Sequence, residues 1–186
     1  MSDTVFYAIG GGLILLIVWI VVTWNSFVSA RNKVEEAWSG IDVQLKRRHD
    51  LVPNLVETVK GYAAHERETL TEVTRARGAA MAASDPADVA RTEGALTAAL
   101  GDVRALAEQY PDLQAAANFR GLQSHLAQLE DEIQASRRIY NSNVQTYNTR
   151  VQVFPNVLLA GSSFPARAFF VLDSPAERLV PAVSFA

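Results

Sequence analysis

Residues Val5–Trp24 read VFYAIGGGLILLIVWIVVTW. From Thr4 to Ala30 the one ionisable side chain is Tyr7. At ~1.5 Å per residue such a helix spans roughly 30 Å, the thickness of a bilayer's hydrocarbon core. Tyr7 stands near one end and Trp24 closes the other, where amphipathic rings prefer the headgroup level. A buried core helix of a soluble protein would carry polar punctuation, which this stretch lacks. A cleaved signal peptide would start with basic residues and end in small ones. Here Asp3 is the only early charge, and bulky Trp24 and Asn25 follow the apolar run. The stretch therefore reads as an uncleaved transmembrane helix marked by Val5, Tyr7, Gly10, Gly11, Gly12, Leu16, Trp19 and Trp24. Gly12 and Ala8 offer a small-xxx-small contact, although glycines are common in such helices anyway.

Charge asymmetry gives an orientation. No Lys or Arg precedes the span, whereas Arg31, Lys33, Lys46, Arg47 and Arg48 follow it. The positive-inside rule then places residues 1–4 outside and the remainder in the cytoplasm. The expected location is a bacterial inner membrane, crossed once.

Beyond the span about 155 residues remain, the size of one domain and enough for a core without staples. There is no cysteine, which excludes disulfides and thiol chemistry. The net charge of -3 gives no sign of a nucleic-acid partner. Apolar residues fall on helical spacing: Val34, Trp38, Ile41 and Leu45, then Val52, Leu55, Val59 and Tyr62, with Val73 and Ala76 in phase. Pro53 deletes a backbone donor and crowds the carbonyl of His49, and Asp50 offers a cap, so a break is expected near His49–Leu51. One long kinked helix also fits, because the phase continues across the proline. The next helix is expected from about Val52 to Ala83. Asp85-Pro86 starts another that runs to about Gln109, and Tyr110-Pro111-Asp112 ends it. The last helix carries Phe119, Leu122, Leu126, Leu129, Ile133, Tyr140 and Tyr147 on one track and closes at Phe154 before Pro155.

The predicted fold is all-α: an N-terminal transmembrane helix, then an antiparallel up-and-down four-helix bundle with long helices, then an irregular tail. The boundaries are residues 5–24 for the span, 25–155 for the bundle and 156–186 for the tail. Leu158, Phe164, Phe169, Phe170, Val180 and Phe185 are the tail's apolar contacts. They serve either a loop laid over the bundle or an interfacial or oligomer contact.

Catalytic and metal chemistry find no motif. Di-iron bundles need Glu three residues before His, but Lys46, Tyr62 and Leu122 precede His49, His65 and His125. His65-Glu66 starts like a zinc-protease helix, yet Thr69 stands where the second His is needed. No phosphate loop and no nucleophile elbow occurs. No enzyme activity, cofactor or small-molecule substrate is expected. The charged run Asp42, Lys46, Arg47, Arg48 and Asp50 is either a solvated helix end or a lipid-headgroup contact. Its distance from the span favours intramolecular pairing or a protein contact. Tyr140-Asn141 and Tyr147-Asn148 repeat at seven residues on one face, for bundle packing or a subunit interface. Trp38, Pro53, Asn54, Glu57, His65, Glu66 and Phe119 join the list of shape and contact residues.

Ala37–Leu70 (AWSGIDVQLKRRHDLVPNLVETVKGYAAHERETL), Asn118–Ala160 (NFRGLQSHLAQLEDEIQASRRIYNSNVQTYNTRVQVFPNVLLA) and the ending AERLVPAVSFA resemble the LemA family. The Ala-rich middle, about Ala79 to Gln109, contributes little to that likeness. The resemblance implies an N-terminal span with the N-terminus outside and a four-helix bundle inside. No enzymatic activity defines the family, and some relatives are tied to membrane invagination in magnetosome formation. Together these readings predict a membrane-anchored scaffold that self-associates and shapes the bilayer, its partners being lipid and further copies of itself. The rival is a monomeric or small-oligomer adaptor that recruits a membrane or cytoplasmic enzyme, a protease or a kinase.

Overall fold

A computed structural model describes residues 2–171. The elements are α1 (Ser2–Lys60), α2 (Arg67–Ala82), α3 (Pro86–Ala107), α4 (Pro111–Ala115), α5 (Ala117–Gln152) and α6 (Val157–Ala160). Among the described residues there is no strand.

The break expected near His49–Leu51 does not occur, because α1 runs through Pro53 to Lys60. The physical reason lies with the carbonyl of His49, four residues before the proline, which loses its helical donor. Arg77 Nε on α2 donates to that oxygen at 2.7 Å. Pro53 itself is exposed, and the buried track Ile41, Leu45, Arg48, Val52, Leu55 and Val59 passes it without a phase slip. The chain turns instead at residues 61–66. Gly61 follows Lys60, and the amides of Tyr62 and Ala63 both donate to the Val59 carbonyl, at 3.0 and 2.8 Å. The second helix therefore begins at Arg67 rather than Val52, and Tyr62, expected in the core, is exposed in the turn.

Asp85 caps α3: its Oδ1 accepts from the Ala87 amide at 2.9 Å, with Pro86 opening the first turn. Such a cap satisfies an amide that has no helical partner. Tyr110-Pro111 does interrupt the chain, and the short α4 fills the gap before α5. Val157–Ala160 forms one helical turn inside the segment expected to be irregular.

Among the described residues the chain divides into two compact units, 2–40 with 138–169, and 41–137 with 170–171. In the first, Phe27, Ala30 and Val34 of α1 are buried, as are Tyr140, Val144, Tyr147 and Val151 of α5 and Phe164 beyond it. Asn143 donates to the Lys33 carbonyl at 3.1 Å, and Arg150 Nη1 to Ser26 Oγ at 2.6 Å. One residue number rises as the other falls, so these two helix segments run in opposite directions. In the second unit Val52, Leu55 and Val59 of α1 meet Leu70 and Val73 of α2, Leu96 and Val103 of α3, Leu113 of α4 and Phe119 of α5 in one apolar core.

Candidate functional site

Two core stripes of the second unit each carry a charge. On α1 it is Arg48, between Leu45 and Val52; on α3 it is Glu93, between Val89 and Leu96. Their side chains are 4% and 1% exposed. Arg48 Nη1 lies 3.5 Å from Glu93 Oε2 and 3.3 Å from Glu130 Oε2 of α5. Arg48 Nη2 donates to Thr97 Oγ1 at 2.6 Å, and His49 Nε2 shares a 2.6 Å hydrogen bond with Glu93 Oε1. The cluster thus ties α1, α3 and α5 together. The Glu93 carboxylate sits between a guanidinium and an imidazole inside the core and presents no face to a substrate, while Glu130 is half-buried. Buried polar groups of this kind fix the register of packed helices, because a slip leaves a charge unpaired in an apolar surrounding. Beside the cluster an open groove of about 670 Å³ is lined by Arg48, Thr97, Arg104, Phe119, Arg120 and Glu130.

The first unit holds a different constellation. Tyr147 and Tyr140 are buried on one face of α5, and their hydroxyls donate to the carbonyls of Pro165 and Ala168, at 2.9 and 3.0 Å. Asn148 makes two bonds to the backbone of Arg167: Nδ2 donates to its carbonyl at 2.9 Å, and Oδ1 accepts from its amide at 2.8 Å. The tyrosine and asparagine repeat therefore clasps the chain's own return segment. Phe164 pins the start of that segment, its ring 4.9 Å from Trp24 and 5.1 Å from Phe27.

The sequence profile of the LemA family matches residues 37–185. The chain belongs to the LemA family. Among curated relatives, the magnetosome protein MamQ of Magnetospirillum gryphiswaldense is 23% identical over 190 residues, covering 88% of this chain and 70% of the relative. MamQ 2 of Paramagnetospirillum magneticum stands at the same identity and coverage. Protein LemA of Metamycoplasma hominis is 27% identical over 131 residues, covering 70% of this chain and 60% of that one.

The other residues singled out in this LemA-family chain are dispersed. Asp42, Lys46, Arg47 and Asp50 are exposed; only Arg48 of that run turns inward, and no helix end lies there. Arg47 sits 3.9 Å from Glu132. Asn54 and Glu57 are exposed, and Glu57 accepts from Lys60 at 2.7 Å. His65 stands exposed in the turn before α2, while Glu66 accepts from the Tyr110 hydroxyl at 2.9 Å. That bond, with some burial, holds the Tyr110 phenol above its ordinary value. Phe119 is in the core with Leu122 packed against it. The Trp38 ring lies 5.3 Å from Tyr140, and Asn141 is half-buried. Phe170 is buried with the Arg137 guanidinium 5.6 Å over its ring. Phe154, Pro155, Leu158 and Phe169 are exposed; Val180 and Phe185 lie outside the described residues.

Of the residues expected in the span, Val5, Tyr7, Leu16 and Trp24 are exposed and Trp19 is half-buried. A Cβ added at Gly10, Gly11 or Gly12 would meet nothing within 4 Å. α1 is the one helix, among the described residues, long and apolar enough to cross a membrane. Also among the described residues, no group of His, Asp and Glu is arranged to hold a metal ion. Sequence reading favoured intramolecular pairing or a protein contact for the run that includes Arg48, but it missed the partners Glu93 and Glu130. The signal was Arg48 and Glu93 standing in core positions of two heptad tracks with opposite charge.

Proposed function

We propose that this LemA-family chain is a membrane-anchored scaffold that self-associates and organises or remodels a bacterial membrane without catalysing a reaction. Residues 5–24 form the single span, residues 1–4 lie outside, and the domain is cytoplasmic. Residues 25–155 form an antiparallel up-and-down four-helix bundle, and residues 156–186 are its apolar tail. The observation that carries this reading is the exposed apolar surface of α1 from Val5 to Val22, which water does not tolerate and a bilayer does. The name of the MamQ relatives, magnetosome proteins, agrees with a role at membranes. Symmetric repetition of one span and one helical domain imposes a local enclosure or curvature by geometry alone.

Light scattering on the detergent-solubilised full-length chain, corrected for detergent, tests the reading. A single multimeric mass is the expected result. A monomer over a range of concentrations and mild detergents would count against it. An adaptor that recruits a membrane or cytoplasmic enzyme is the second reading, favoured by the open groove between Arg48 and Arg120; crosslinking to a protein other than itself would support it.

A further inference from the structure

We propose that the turn between α5 and α6, Val153–Leu158, is a second membrane-seated element, inserted at the headgroup boundary beside the end of the α1 span. The proposal rests on the reading of α1 as a membrane anchor. Four apolar residues of this turn point outward together: Val153, Phe154 at 79% exposure, Val157, and Leu158 at 72%. Outside this turn and the apolar stretch of α1, Val43, Tyr62, Met81 and Ile139 are exposed singly, and Phe169 and Val171 form a pair. No ionisable side chain occurs between Arg150 and Arg167.

The level of the turn follows from the pairing of the two helices. Asn143 meets Lys33 and Arg150 meets Ser26, so the two numbers keep a constant sum. Three further residues at ~1.5 Å each carry Val153 roughly 4–5 Å past Ser26, level with Thr23. Thr23 is buried and Trp19 and Ile20 are half-buried, as cover from this side requires. The turn therefore reaches the last residues of the span, where Trp24 marks the interface. Apolar faces of interfacial elements sink about 5–10 Å into this boundary. The outward face of Val153–Leu158 is thus continuous with the lipid-facing surface of α1.

The backbone of the turn suits such a place. Irregular backbone is excluded from the hydrocarbon centre unless its polar groups are paired. Here Val157 donates to the Val153 carbonyl, Leu158 to Pro155, and Leu159 and Ala160 to Asn156, at 2.9–3.1 Å. Pro155 has no amide to satisfy. Asn156 Nδ2 closes the Arg150 carbonyl at 3.1 Å. Arg31 and Arg150 stand on the aqueous side of the turn, where basic side chains favour anionic headgroups.

The absence of native cysteine makes the test direct. Single cysteines are placed in the full chain by Phe154→Cys, Leu158→Cys, Leu16→Cys in the span and Ser142→Cys on exposed α5. Each is spin-labelled and reconstituted into phosphatidylethanolamine/phosphatidylglycerol vesicles, with helix content checked by circular dichroism. Collision with lipid-soluble oxygen is compared with collision with a water-soluble nickel chelate. Oxygen is expected to win at 16, 154 and 158, and nickel at 142. If 154 and 158 behave like 142 while 16 stays in lipid, the turn is aqueous and the proposal falls while the anchor stands. If neither reagent reaches 154 and 158, protein covers them, and a second copy rather than lipid is the occupant. If nickel wins at 16 as well, the anchor reading falls and takes this one with it.

Discussion

Pro53 shows how a single residue's local cost is absorbed by a distant one. The proline orphans the His49 carbonyl, and Arg77 from α2 supplies the missing donor. A hydrogen bond to a charged group contributes about 1.5–3 kcal/mol. Arg77→Ala should therefore destabilise the protein by that order in urea unfolding. The loss should shrink in a Pro53→Ala background, where residue 53 regains an amide for His49. Equal losses in both backgrounds would disconnect the two residues. Tyr110 gives a prediction in pH. Its phenol lies above its ordinary value chiefly because it donates to Glu66. The neutral phenol is the form the fold favours, so this contribution is fully present below the unfolded value near 10 and is lost as pH rises through the folded value. In a tyrosinate absorbance titration, the component that Tyr110→Phe removes should be late-titrating, and Glu66→Gln should move it earlier.

Helices meet in register because their core stripes carry matched exceptions. Removing the Glu93 carboxylate leaves Arg48 and His49 in an apolar surrounding with half their partners. Glu93→Ala should cost about 3–5 kcal/mol, as measured by denaturant midpoint, while an exposed pair such as Arg91–Asp88 should contribute little. Much of the element pattern was legible in the sequence: the apolar run, the Asp85-Pro86 start of α3 and the long track of α5. The end of α1 was not, because a local rule about Pro53 met a tertiary donor that no local pattern encodes. The role of the Tyr140 and Tyr147 pair was half legible. Spacing showed a common face, but the occupant of that face is a segment that arrives after a turn and an extended run with no periodic pattern. The charge cluster could have been found by asking which heptad positions held the wrong residue type.

At the scale of the whole molecule, α1 contributes both an exposed apolar stretch and a buried one, and the boundary between them sets where it can be cut. Thr23 and Phe27 are buried and Trp24 packs on Phe164, so a chain beginning at Thr23 retains these contacts. By circular dichroism such a chain should lose only the helix of the residues removed, and by light scattering it should contain fewer copies than the full-length protein. An unchanged number of copies would place the contacts between them outside the span. The clasp on the return segment has a consequence for how this chain can drift in evolution. Tyr140, Tyr147 and Asn148 all address main-chain atoms of Pro165, Arg167 and Ala168. The side chain of Arg167 adds one exposed pair with Glu35, at 3.2 Å. Main-chain recognition is indifferent to spelling, so position 167 should accept most residue types at little cost in thermal midpoint. Proline alone is barred there, since it deletes the amide that Asn148 holds: the letters of this strap are free to change while its path is not.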